Sequence, residues 1–429
     1  MLSGVLLAAY AAVVTVLAVK NWRLALGLLV VLLPAYLVRW HVGPVPATML
    51  ELTFGIIFLV WLAAQARTDW REIVTVIKQH RLFFIFLGIF FASSVASIFV
   101  SDMAVASLVQ WRAYILEPIL LFFILLGRRT HITRADLVWM LALSTLSISV
   151  YSLIQQFTGW GIATAQFQAE ATRRVTAFYT SPNAVGLYLG PVMLLMFGVA
   201  MAAAGRMKRL PTSLELMFVP DQNVGRLFIM AGLLLLVLIA VIFTKSEGTF
   251  IALAAGGAVF FYLLGWKKTV IAGTLATILL TLAVPRFKAV VLLADKAGHN
   301  RLQLWSYSWE FLSASPKNFV LGTGIRQFFR KIQKPHYNPQ ELERLIYPHN
   351  IALNFWTELG LPALVGMAGM IACLARLGYS IYRREQVTGA ALLAALAILV
   401  VHGLVDVPYF KNDLAMEWWI ITALFFAPA

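Results

Sequence analysis

"LFIMAGLLLLVLIAVIF", residues 227–243, carries no polar side chain. A helix needs about 17 to 25 predominantly apolar residues to cross a bilayer, and this run reaches that length without a charge. Similar runs flank it on both sides. Apolar segments fall at about residues 2–19, 24–38, 48–64, 82–100, 113–126, 137–157, 184–204, 249–265, 269–284, 351–375, 388–405 and 415–427. Over 429 residues, 61% are hydrophobic and 12% charged, where soluble domains carry about 25% charged residues. The expectation is an all-α polytopic membrane protein with about 12 (12–13) transmembrane helices. The short segment broken by Pro34 and the last one are the weakest of these. The first segment lacks a charged n-region and a clear cleavage site, so it reads as a retained span.

Four regions follow from the spacing of the spans. Residues 1–136 hold N-terminal helices, 137–284 central helices with short loops, 285–349 a large extracytoplasmic loop, and 350–429 the C-terminal helices. Charge sets the orientation. One alternate set of loops holds eighteen Lys and Arg, including Arg67 to Arg81, Arg206 to Arg226 and Arg376/Arg383/Arg384; the short loops of the other set hold six. The basic set is expected in the cytoplasm, so much of the net charge of +15 is topology rather than a nucleic-acid-binding surface. The 285–349 loop falls on the outer side with ten basic residues against four acids. That surplus fits an anionic ligand, or a patch facing the head groups of membrane lipids.

Polar groups gather on the same outer side. Arg173 and Arg174 precede the Ser-Pro-Asn of residues 181–183, where Pro182 suits the first position of a helix. A helix N-terminus beside arginines makes a phosphate site; snorkelling interfacial arginines are the plainer reading. Lys245 and Glu247 occupy a hairpin-short turn, at the interface or facing a polar cavity. In "HNRLQLWSYSWEFL" (299–312), Leu302, Trp305, Trp309 and Leu312 fit an amphipathic surface helix. Arg326 follows a Gly-x-Gly turn. His349 precedes a helix whose Asn350, Asn354 and Glu358 share one face. His402 and Asp406, four apart, can satisfy each other. The single cysteine excludes a disulfide framework. No zinc or Walker pattern is present, so no metal or other cofactor is expected.

Three motifs in order, "RVTAFYTSPNAVG", "RLQLW" followed by "LGTGIRQF", and "PHNIALNFWTELGLPALVG", resemble the O-antigen ligase family, which includes O-antigen polymerases and bacterial oligosaccharyltransferases. The resemblance covers residues 140 to 425. It implies a GT-C-like integral-membrane glycosyltransferase in the bacterial cytoplasmic (inner) membrane, with its active site facing the periplasm. It further implies metal-independent transfer of a glycan from undecaprenyl pyrophosphate to an acceptor hydroxyl on a glycan, lipid or protein. His349 would be catalytic, orienting or deprotonating the acceptor. Arg174, Arg301, Arg326 and Lys245 would meet the pyrophosphate, with Asn183, Asn350 and Glu358 supporting the site. One position departs from the family: its usual Ser-Arg-Gly turn is Ser246-Glu247-Gly248 here, leaving Lys245 as the nearby cation. A polymerase or a protein O-oligosaccharyltransferase would share this donor chemistry. A lipid-linked glycan flippase would instead be expected to carry an inverted repeat, and no convincing one is read.

Overall fold

The computed structural model describes residues 4–42, 45–206, 222–339 and 343–428. These form helices and, among the described residues, one two-stranded hairpin. Helices α1 (Gly4–Lys20) and α2 (Trp22–Val31) lead through a 3-10 turn (Leu33–Leu37) into β1 (Arg39–Val42) and β2 (Val45–Thr48), paired antiparallel with Arg39 opposite Thr48. Thr48 then caps α3 (Met49–Ala64). Its hydroxyl accepts from Glu51 N at 3.2 Å, and the Glu51 carboxylate accepts from Thr48 N at 2.9 Å, so two otherwise unpaired N–H groups are satisfied reciprocally. Helix α4 (Ala66–Gln79) turns from α3 by 95°.

The chain continues through α5 (Arg81–Val100), α6 (Ala104–Trp111), a π turn (Arg112–Leu116), α7 (Glu117–Gly127), α8 (Arg134–Thr158) and α9 (Pro182–Arg206). Next come α10 (Gln222–Thr244), α11 (Glu247–Leu263), α12 (Lys267–Ala283), α13 (Pro285–Val291), α14 (Lys296–Ser313) and α15 (Pro316–Leu321). The chain closes with α16 (Ile351–Leu359), α17 (Leu361–Tyr382), α18 (Gln386–Gly403) and α19 (Asn412–Leu424). Among the described residues seven helices are long and apolar enough to cross a membrane, or eight if the bent α3–α4 pair is one span. The protein is thus all-α and polytopic. The expected count of twelve or thirteen also included shorter apolar helices such as α1, α2 and α11. Most of the basic stretch 206–226, expected to be cytoplasmic, lies outside the described residues.

Small residues bring the bundle helices close. A Cβ on Gly256 of α11 would lie 2.5 Å from Ile398 of α18, and one on Gly198 of α9 would lie 2.4 Å from Ala391 of α18. Close approach through small residues is how membrane helices gain packing without a hydrophobic drive between them. Helix α19 lies innermost: all of its residues are buried, and Trp419 packs on Phe122 of α7 at 5.1 Å. The last apolar segment is therefore enclosed by protein.

Two expectations change in detail. The segment read as one span over 351–375 is two helices, broken at Gly360. Gly360 has φ +90, and a Cβ there would lie 2.7 Å from Val320 O, while Pro362 begins the next helix without an N–H to lose. The Asn350/Asn354/Glu358 stripe thus belongs to the short α16, ahead of the long span. The amphipathic helix of the large loop exists as α14, but Leu302 and Trp309 are exposed while Leu304, Ser308 and Leu312 are buried. Its inner face turns toward Phe328 and Ile332 of the same loop, which cluster with Leu304.

Candidate functional site

The starts of α9, α11 and α16 meet the ends of α10 and α18 at one end of the bundle, and the turn after α18 carries Asp406. This carboxylate is buried. Its Oδ1 lies 3.2 Å from His349 Nδ1 and accepts from Val407 N at 2.9 Å. Its Oδ2 accepts from Asn183 Nδ2 at 3.1 Å, and Asn183 Oδ1 accepts from Ser246 Oγ at 2.9 Å. Ser246 in turn caps α11. Burial alone would raise the Asp406 carboxyl. The His349 imidazole, the hydrogen bond between them and His402 outweigh burial and hold it well below the usual carboxylate range. An ionised Asp406 at Nδ1 favours the His349 tautomer that leaves Nε2 free to accept a proton.

The neighbouring backbone is fixed by α14. Arg301 Nε donates to Val405 O at 3.0 Å, and one turn later Trp305 Nε1 donates to Pro348 O at 3.0 Å. The "RLQLW" spacing places both on one helical face, so one helix clamps the two strands of chain that carry Asp406 and His349. Asn350 caps α16, accepting from Leu353 N at 3.0 Å, and its Nδ2 donates to Leu404 O at 3.1 Å. The Tyr347 ring meets the His349 ring edge-on at 4.9 Å.

Arg174 and Lys245 stand on the Asn183 side. Arg174 Nε donates to Thr244 O at 2.9 Å, and its guanidinium lies 5.4 Å from the Phe167 ring centroid. Among the described residues its terminal Nη groups make no hydrogen bond. Burial pushes its pKa down and Glu247 pushes it back up; a guanidinium stays charged regardless. Lys245 and Glu247 are both exposed beside it.

Arg326 and Glu358 form a separate neighbourhood. Burial pushes the Glu358 carboxyl up to about 8, against the backbone N–H groups of Arg326 and Phe328 and the Arg326 charge, which favour its ionised form. The structure thus brings His349, Asn350, Asn183 and Arg301 together around Asp406, sets Arg174 and Lys245 beside them, and places Arg326 with Glu358.

Asp406 is the residue that sequence reasoning assigned differently. It was matched with His402 on i, i+4 spacing, yet its hydrogen bonds go to His349 and Asn183. Both His402 ring nitrogens, fully buried, lack a hydrogen-bond partner among the described residues. The backbone still makes the helical bond from Asp406 N to His402 O at 3.0 Å, but no side-chain hydrogen bond joins the two residues. Backbone geometry gives a second signal invisible in sequence. Among the described residues five non-glycine residues have positive φ, and three are candidate site residues: Lys245 (48°), Arg326 (67°) and His349 (51°). Such conformations cost about 1–3 kcal/mol each and persist where surrounding structure over-determines them.

The family model described as O-antigen ligase matches residues 231–368. That stretch, about a third of the chain, is similar to the O-antigen ligase family. The matched segment contains Lys245, Ser246, Arg301, Arg326, His349, Asn350 and Glu358. Arg174, Asn183 and Asp406 come from outside it, so the two are joined at the site by hydrogen bonds. A search of curated proteins gives no match. Among the described residues no group of three His, Cys, Asp or Glu side chains is placed to hold a metal ion.

Proposed function

We propose that the protein transfers a glycan from undecaprenyl pyrophosphate to an acceptor hydroxyl at the outer face of the bacterial cytoplasmic membrane. The observation that carries this reading is the His349–Asp406 pair at 3.2 Å, linked through Asn183 and Ser246 to the turn that bears Lys245 and holds Arg174. The acceptor oxygen forms a bond to the anomeric carbon as the bond from that carbon to the pyrophosphate oxygen breaks. The bonding pair leaves with the pyrophosphate, and the acceptor proton passes to His349 Nε2. Asp406 holds the ring and stabilises the imidazolium, in a role worth about 10²–10⁴-fold for general-base catalysis as a whole. Arg174, Lys245 and Arg301 oppose the negative charge that grows on the leaving group. Asn183 and Asn350 fix the two helix starts, and Glu358 holds the Arg326 turn.

Ligation to a glycan or lipid, polymerisation of repeat units, and transfer to a protein hydroxyl share this donor chemistry and differ in the acceptor. The test is transfer by the purified chain from an undecaprenyl-pyrophosphate oligosaccharide to glycan, lipid and peptide acceptors. His349→Asn is the control, because asparagine tolerates the left-handed backbone at this position. The expected result is a folded variant that binds donor and transfers at least about 10²-fold more slowly. Full transfer by His349→Asn removes the histidine from the reaction. Absence of transfer by the wild-type chain to every acceptor class counts against the transferase reading itself.

A further inference from the structure

The end of the bundle away from Asp406 carries a charged surface that the candidate site does not use. Arg134, at the start of α8, donates from Nη1 to both Glu385 carboxylate oxygens, at 3.0 and 3.1 Å. Glu385 precedes α18, and Asp406 follows that helix at its other end. The 18 residues of α18 extend about 27 Å, close to the about 30 Å of a hydrocarbon core. Helix α7 ends shortly before α8 begins, so its C-terminus lies at this far end too.

Helix α4 lies across that end. It turns 95° from α3, and α3 packs beside α7. A helix at right angles to helices that stand in a bilayer runs along the bilayer surface. The inner face of α4 is fixed. Asp69 is buried, accepts from Trp61 Nε1 at 2.9 Å and lies 3.6 Å from Arg128 Nη1. Arg129 Nε donates to the Glu72 carboxylate at 3.2 Å. Ile73 and Val76 are buried. Gly127 makes room for this packing, since a Cβ there would lie 2.8 Å from the Asp69 Cβ.

Both acids of α4 are therefore taken up on the inner side. Arg67, Trp70, Arg71 and Lys78 share the outward face. All four are exposed, Trp70 at 60%. Among the described residues none of the three cations has an ion pair. An interfacial helix ordinarily sinks its apolar face into lipid. Here Ile73 and Val76 already lie against protein, so α4 is held by the bundle rather than by the bilayer. What it offers outward is positive charge and one indole. Trp is favoured at head-group level, and each Lys or Arg held near an anionic leaflet is worth about fivefold in association. The charge is complementary to a lipid phosphate, and the orientation of α4 lays all three cations along the plane in which those phosphates lie.

We propose that the outward face of α4, formed by Arg67, Trp70, Arg71 and Lys78, docks anionic phospholipid head groups in the leaflet opposite the Asp406 end of the bundle.

The test reads lipid occupancy at α4 itself. Thr75, exposed beside this face, is replaced by cysteine in a Cys373→Ser background and labelled with the fluorophore NBD. The full chain is placed in phosphatidylcholine nanodiscs that contain phosphatidylglycerol or phosphatidylcholine carrying a doxyl quencher near the head group. With the α4 charges intact, half-quenching is expected at about fivefold less labelled phosphatidylglycerol than labelled phosphatidylcholine, the worth of one cation. Arg67→Gln, Arg71→Gln and Lys78→Gln combined should bring the two lipids level. Arg67→Lys with Arg71→Lys should keep the preference, because the positive charge is retained. Added salt should narrow it with the charges intact, and that reading stands even if the triple variant does not fold. Equal quenching by both lipids before any charge is removed overturns the proposal. A preference that survives the triple variant also overturns it, by placing the anion on other cations. Absence of quenching by either lipid puts α4 in water, and the docking surface then belongs to a soluble acidic partner rather than to lipid.

Discussion

His349 and Asp406, 57 residues apart in the chain, meet at 3.2 Å between Nδ1 and Oδ1. The carboxylate fixes which ring nitrogen carries the proton, and therefore which one faces a substrate. Asp406→Asn should leave the fold and donor binding intact and lower the transfer rate by roughly 10²-fold or more, because the imidazolium loses its counter-charge. Donor binding and single-turnover transfer, measured on the same preparation, check it. Asp406→Asn transferring at the wild-type rate would sink the pairing as a catalytic device.

The same carboxylate sets a pH dependence of stability. The folded protein holds Asp406 below the usual carboxylate range, so its contribution is present above the unfolded value of about 3.9 and is lost as pH falls below it. Thermal unfolding of wild type and Asp406→Asn in detergent should show the wild type ahead near pH 7, with the gap closing as pH drops through about 4. A gap that stays constant to pH 3 contradicts the ionised, paired state.

Among the described residues the Arg174 Nη groups make no hydrogen bond, while its Nε donates to Thr244 O at 2.9 Å. Arg174→Ala should weaken binding of undecaprenyl pyrophosphate and slow transfer. Arg174→Lys should recover only part of both, since an ammonium cannot anchor to the carbonyl and fork onto phosphate together. Unmodified donor affinity in Arg174→Ala would move the pyrophosphate elsewhere.

Glu247 is exposed at the first position of α11 and acts electrostatically on Arg174. Its charge favours the helix N-terminus by about 0.3–1 kcal/mol, and it competes with an incoming phosphate for Arg174. Glu247→Gln, and more strongly Glu247→Arg, should raise donor affinity at a small cost in stability. Reduced donor affinity in both variants would show that Glu247 itself contacts the donor.

Orientation is tested at Ser313, which is exposed near the end of α14. A cysteine placed there should react with a membrane-impermeant thiol reagent in intact cells. Protection until the cells are lysed would put the loop, and His349 with it, on the cytoplasmic side.

The sequence reading reached the long apolar helices because lipid leaves few alternatives to an uninterrupted apolar run. It singled out Arg301, Asn183 and His349, which the structure gathers around Asp406, because each sits in a short motif of unusual polarity. It did not reach their pairing. Asp406 meets His349 only because the start of α16 lies beside the end of α18, and nothing local in "VHGLVDVP" encodes that. The break at Gly360 was hidden for a related reason. A glycine followed by Leu-Pro reads as a tolerable interruption of a span, whereas the backbone of Val320 pressing on Gly360 comes from a distant part of the chain.

The left-handed backbone at Lys245, Arg326 and His349 makes this protein a poor subject for stabilisation by blind selection. Glycine or asparagine at the exposed Lys245 or Arg326 relieves roughly 1 kcal/mol of strain, whereas at His349 that gain is set against loss of the partner of buried Asp406. A library sorted only for survival of heating would therefore enrich substitutions at Lys245 and Arg326. The hardiest clones would be enriched in proteins stripped of side chains expected to handle the donor.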